Sequence, residues 1–208
     1  MKKILLIVVM VGSLVSCAFA EQHFVNSIVP HYYEWDKNEN PNDKYWCGHA
    51  ALKMAGEYVT GDYKRLDDLH VTMWYNSSYY RDKKVCGSMY CSRLYDLYMA
   101  AKYSQYNGYG KAGSVLRSVP DAEIFLQKVK DGVVNNLPPI ADSSFEVSFG
   151  HFYVIVGYEE KDTDENSVIY LRDPIKPNPI NTEWDTKTTV KKFLAGMSTR
   201  QFLFISRN

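Results

Sequence analysis

The sequence predicts an α+β fold, with a helical lobe packed on an antiparallel sheet lobe. Two observations carry that expectation. The first half places apolar residues at helical spacing, whereas the second half holds an unbroken apolar run at residues 152–158, a charged turn, and a second run at 168–171. A third bounds the size: 208 residues, 46% hydrophobic and 23% charged, are enough for one real core and are not a disordered composition.

Residues 1–20 stand apart from that fold. Lys2 and Lys3 precede an apolar run from Ile4 to Val15, and Ala18-Phe19-Ala20 precedes Glu21, the pattern of a secretory signal peptide cut after Ala20. The run is too short to span a bilayer comfortably. Leu14-Val15-Ser16-Cys17 also fits a bacterial lipoprotein box, and a lipidated Cys17 is the one route to a membrane. The expected product is a single domain, residues 21–208, in the periplasm or outside the cell. Lys+Arg and Asp+Glu both number 24 with no long run of either sign, which argues against a nucleic-acid partner or an acidic tail. Loss of Lys2 and Lys3 on processing leaves a net charge of about −2.

Residues 21–44 are polar, with Pro30 and Pro41, and read as a surface loop with a short strand around residues 24–29. Tyr45-Trp46-Cys47-Gly48 then leads into Ala50, Ala51, Leu52, Lys53, Met54 and Glu57, a helix-forming run that Gly61 closes. Ala51, Met54 and Tyr58 share one face of it. Cys47 thus stands at a helix N-terminus, where unsatisfied N–H groups and the macrodipole favour a thiolate. Leu66, Leu69 and Met73 predict a short helix, followed by loop as far as Cys91. Leu94, Leu97, Tyr98 and Ala101 predict another over residues 92–103, ended by Gly108, Gly110 and Gly113. The many tyrosines between Tyr75 and Tyr109 either fill a polar-edged core or line a cleft.

In the second half, Pro120-Asp121 opens a helix that Gly132 is expected to stop. Ile140-Ala141 starts a strand after Pro138-Pro139. Residues 152–158 read as a central strand buried on both faces, with 168–171 as its hairpin partner across the charged turn at 161–167. Residues 189–194 predict a short helix, and 201–206 a closing strand.

Export makes the cysteines informative, because an oxidising compartment favours pairing of nearby thiols. Cys86 and Cys91, separated by a glycine-containing loop, are expected to form a small disulfide. Cys47 is then the odd thiol, either inert or reactive. No zinc-ligand spacing accompanies the pair, and no metal or other cofactor is expected. His151 stands where the central strand begins and Asp173 where its partner ends, so a hairpin brings both to one edge of the sheet. A thiol at a helix N-terminus, a histidine to take its proton and a carboxylate to orient the imidazole are the parts of a nucleophilic triad. Singly, each part has an ordinary structural reading: a small buried cysteine, a satisfied histidine, a strand-ending turn.

Trp-Cys-Gly-x-Ala-Ala-x-x-Met at residues 46–54, Gly-His-Phe-x-Val-Ile-Val-Gly-Tyr at 150–158 and Asp-Pro at 173–174, in that order, resemble the papain-like cysteine peptidases related to bacteriocin-processing (double-glycine leader) endopeptidases. The likeness is nearest to the free-standing exported bacterial members and covers about residues 30–205. It implies a papain-like fold and a Cys47, His151, Asp173 triad that cuts an amide bond of a peptide or protein through an acyl-thioester. A cell-wall amidase or acyl transferase on the same site, or a binding module that keeps the fold, are the alternatives. The chain departs from the family pattern at two places. His49 stands where proline is common and is expected to point away from Cys47, as a surface or packing residue. The glutamine that serves as an oxyanion donor is missing: Glu34 occupies its place, and an ionised carboxylate only accepts hydrogen bonds. Asn42 is a candidate substitute donor. His23, His31 and His70 read as surface residues.

Overall fold

The long strand His151–Glu159 (β4) organises the molecule. Every residue but the last of it is buried, as its unbroken apolar run predicts. The computed structural model describes residues 20–36, 38, 46–82, 92–177 and 183–208. The apolar segment and lipidation site within residues 1–19, the Cys86–Cys91 pair and Asn42 lie outside the described residues.

In chain order the elements are Gln22–Phe24 (β1), Cys47–Thr60 (α1), Leu66–Asn76 (α2), Ser78–Asp82 (α3), Leu94–Lys102 (α4), Val115–Ser118 (β2), Ala122–Val134 (α5), Ile140–Ser143 (β3), β4, Val168–Arg172 (β5), Thr186–Thr189 (β6), Val190–Gly196 (α6) and Gln201–Phe204 (β7). The strands form one antiparallel sheet in the order β2-β7-β3-β4-β5-β6. One edge of β4 is shared: β3 pairs its first half, from His151 to Val154, and β1 its last three residues. The helices α1, α2 and α4 pack on one another, and α1 also lies on β4. Successive side chains of β4 serve different layers. Phe152 meets α1 at Gly48, where a Cβ would come within 3.2 Å of its ring, while Tyr153 stacks edge-on against Phe193 of α6. The expected α+β arrangement of helices on an antiparallel sheet is what forms.

Local chemistry accounts for most boundaries. Gly61 ends α1 in the left-handed conformation (φ 74°), and its N–H caps Glu57 O. Asp121 caps α5 through Ile124 N–H. Gly132, expected to stop α5, lies inside it, because the helix needs a small residue there: a Cβ would come within 2.9 Å of Leu137 O and 3.0 Å of Phe204. The strand expected at 24–29 is β1, set earlier in the chain by its register with β4. The edge strands β2 and β6 and the short helix α3 were not anticipated. Of the tyrosine-rich stretch, Tyr80 and Tyr109 fill the core, whereas Tyr75, Tyr95, Tyr103 and Tyr106 are exposed.

A bulge between Ile155 and Gly157 shifts the pairing of β4 with β5. Gly157 sits beneath β1, and a Cβ on it would lie 2.4 Å from the Phe24 ring and 2.6 Å from His23 O. Gly157→Ala is therefore expected to push β1 off the sheet at a cost of about 1–3 kcal/mol, read as a lower urea midpoint. An unchanged midpoint would show that β1 contributes nothing at this register.

Candidate active site

His151 is the first residue of β4, and Asp173 directly follows β5. The register pairs Val154 with Arg172, so Asp173 falls level with Tyr153, and His151 reaches it along the same face of the sheet. The result is a buried hydrogen bond of 2.7 Å between His151 Nε2 and Asp173 Oδ1. Asp173 is itself held. Its backbone N–H donates to Asp185 Oδ2 (2.9 Å), and Ile175 N–H donates to Asp173 Oδ1 (3.0 Å). Asp185 is held in turn by Arg172, whose guanidinium donates to Asp185 Oδ1 (3.0 Å) and, through Nε, to Val29 O (3.1 Å). Arg172 and Asp185 are both buried, so the pair matters through what its loss would strand: removing one partner of such a pair costs about 3–5 kcal/mol.

Cys47 is the first residue of α1 and is a free thiol with partial exposure. Its Sγ, a ring nitrogen of His151 and a carboxyl oxygen of Glu34 all lie within 4.8 Å of one another. Nε2 of His151 is committed to Asp173, which leaves Nδ1, without a hydrogen-bond partner among the described residues, as the nitrogen open to the thiol. Gly48 cannot carry a side chain here, since a Cβ would meet Ser92 Oγ at 2.1 Å, and this close packing holds the start of α1 against Phe152.

The segment carrying Glu34 is fastened from two sides. Tyr32 Oη donates to Glu57 Oε2 of α1 (2.6 Å), and the fully buried Lys53 ammonium sits 4.0 Å from the ring centre of Tyr32 and 4.0 Å from that of Tyr63. On the sheet side Glu34 N–H donates to Pro174 O (3.0 Å), and His31 Nε2 lies 3.1 Å from Asp173 O. His31 is thus no surface residue but part of the frame around Asp173. His70 and His23 are also half-buried, His70 hydrogen-bonded to Tyr80 and His23 stacked on Tyr158. His49 is a packing residue as expected: it is fully buried, lies beside Trp46 and hydrogen-bonds Tyr80 Oη at 3.0 Å.

Two protonation states differ from the sequence expectation. Burial, followed by the charges of Glu34 and Asp173, pushes the Cys47 thiol well above its usual range, although N–H groups of Phe152 and Gly48 work in the opposite direction. The partial exposure belongs to the residue as a whole, whereas the titration follows the buried surroundings of the thiol. A preformed thiolate, expected from the helix N-terminus, is therefore opposed. Glu34 is 1% exposed, and burial, with Asp173 as the next cause, raises its carboxyl from 4.5 to about 8, against hydrogen bonds from the Cys47 backbone and thiol. It is neutral at pH 7 and so has a proton to donate, contrary to the acceptor-only reading. The same donor spacing would suit a divalent cation, whose binding would release the Cys47 and Glu34 protons.

The sequence model of the Peptidase_C39 like family matches residues 28–199, most of the chain, including Glu34, Cys47, His151 and Asp173. The chain belongs to that family. Its α+β arrangement, with the cysteine helix packed on an antiparallel sheet, is the papain-like one that this membership implies. No curated protein matches the chain.

A carboxyl whose pKa is higher folded than unfolded gives stability that is present below about 4.5 and lost as pH rises to about 8. Glu34→Gln removes that dependence. Denaturation of the two proteins between pH 5 and pH 9 is expected to show the wild type losing a few kcal/mol relative to the variant. Parallel curves would mean that Glu34 ionises normally.

Proposed function

We propose that this family member is an exported cysteine peptidase, in which Cys47 attacks the carbonyl of a peptide bond, His151 moves the proton and Asp173 orients His151. The observation that carries the reading is the directed arrangement of the imidazole, with Nε2 held by a buried carboxylate and Nδ1 left for a thiol within 4.8 Å. The raised thiol makes His151 a general base at the moment of attack, since burial keeps the resting sulfur protonated. The Cys47 proton passes to His151 Nδ1 as the Sγ–C bond forms. That proton then goes to the leaving amine as the C–N bond breaks, leaving an acyl-thioester. Water, losing a proton to His151, adds to the thioester, and the thiol is regenerated with the new carboxylic acid. Export follows from the N-terminal apolar segment with its cut after Ala20. A peptide or protein is the substrate class, and no cofactor is needed for these steps.

The test uses Cys47→Ala and Asp173→Asn. Cys47→Ala is expected to abolish peptide hydrolysis and covalent trapping by a peptidyl chloromethyl ketone. Asp173→Asn is expected to lower kcat by about 10⁴-fold, as loss of the orienting charge does in a related triad. Hydrolysis that survives in Cys47→Ala would sink the assignment. Equal conversion of thioester to acid and to an added amine would instead mark the protein as an acyl transferase.

A further inference from the structure

The Glu34 carboxyl lies beside the nucleophile: it is 1% exposed, and one of its oxygens is within 4.8 Å of both Cys47 Sγ and a ring nitrogen of His151. A carbon bonded to Cys47 Sγ can turn its oxygen toward the Cys47 backbone N–H, and the Glu34 carboxyl meets both that N–H and the thiol. The approach is built in from two directions, by the Glu34 N–H to Pro174 O bond on the sheet side and by Tyr32 on α1. An ionised carboxylate there would repel the developing oxyanion, whereas a carboxylic acid would donate to it. An apolar site that keeps a carboxylic acid neutral at pH 7, so that it donates to an oxyanion, has precedent in enzymes that hold enolates.

Resting on the triad reading above, we infer that Glu34 is a catalytic residue that donates its carboxyl proton as a hydrogen bond to the oxyanion, alongside the Cys47 N–H. It takes the role that the resemblance assigns to a glutamine amide. The groups facing it are Cys47 from α1, His151 from β4 and Asp173 beyond β5, with Asp185, Arg172, His31 and Tyr153 around Asp173. The Asp173 charge keeps the Glu34 proton on. Tyr153, whose hydroxyl burial holds protonated, adds no charge. The imidazolium formed during attack pulls the other way, and the oxyanion offsets it. Further along α1, Lys53 and Glu57 are engaged by Tyr32 and Tyr63. Because the donor is an acid, activity must fall on the alkaline side as Glu34 ionises, a limb that a glutamine would not produce.

The full-length chain carrying δ-¹³C glutamate reports the first requirement. A carboxyl resonance absent from Glu34→Gln should titrate near 8; titration below about 6 overturns the inference. Acylation of Cys47 by N-acetyl-glycyl-glycine p-nitrophenyl ester, which develops an oxyanion, is then compared with alkylation by iodoacetamide, which does not. Glu34→Ala is expected to slow acylation by about 100-fold without slowing alkylation. Wild-type acylation should fall about tenfold between pH 7 and pH 9, and that limb should vanish in Glu34→Gln. A limb that persists in Glu34→Gln, with Cys47 still acylated, overturns the role of Glu34 alone. Failure of the ester to acylate wild-type Cys47 at any pH overturns both this inference and the triad.

Discussion

The buried contact between His151 and Asp173 depends on, and gives purpose to, much of the surrounding structure. Taking a carboxylate and an imidazole out of water costs several kcal/mol unless their remaining hydrogen-bonding capacity is met. Here it is met in part: Ile175 N–H donates to Asp173 Oδ1, while Asp173 Oδ2 and His151 Nδ1 have no hydrogen-bond partner among the described residues. The strand pairing supplies the aim. Asp173 is level with Tyr153, so His151 reaches it diagonally along one face, and a one-residue slip of β5 would turn the carboxylate to the opposite face. The Arg172–Asp185 pair and His31 lock the turn after β5 in that register.

Burial first, and then the neighbouring charges, set the protonation of Glu34 and Cys47 beside this contact. Glu34, Asp173 and Asp185 are three buried carboxyls, and Arg172 is given to Asp185. Burial disfavours a charge on Glu34, and the neighbouring Asp173 charge adds to that cost. Glu34 is the one that keeps its proton. The same reasoning holds for Cys47. A helix N-terminus offers a thiolate roughly 0.3–1 kcal/mol, which burial, the leading cause, outweighs. The site therefore rests with its protons in place and needs the histidine to move them.

Much of this was legible in the chain. The apolar run of β4, the cap at Asp121, the glycine that ends α1 and the ordered motifs at Cys47, His151 and Asp173 are local signals, and the structure follows them. The missed elements carry no such signal. In β6, Thr186-Lys187-Thr188-Thr189 has no apolar pattern and becomes a strand only because β5 offers an unpaired edge. In α5, Gly132 has the residue type of a helix stop but the surroundings of a close contact with Phe204.

Sequence by itself determined the α+β class and the main helices and strands, because periodicity, caps and turn chemistry act over a few neighbours, and its ordered motifs singled out Cys47, His151 and Asp173 as site candidates. Tertiary structure alone decided the state of that site. Glu34 reads as an ordinary acid until Asp173, from a strand more than a hundred residues away, is brought beside it and water is excluded. His31 reads as a surface residue until the same packing sets it against Asp173. Proton affinity follows dielectric and charge at a distance of a few ångströms, and those distances exist only in the folded chain.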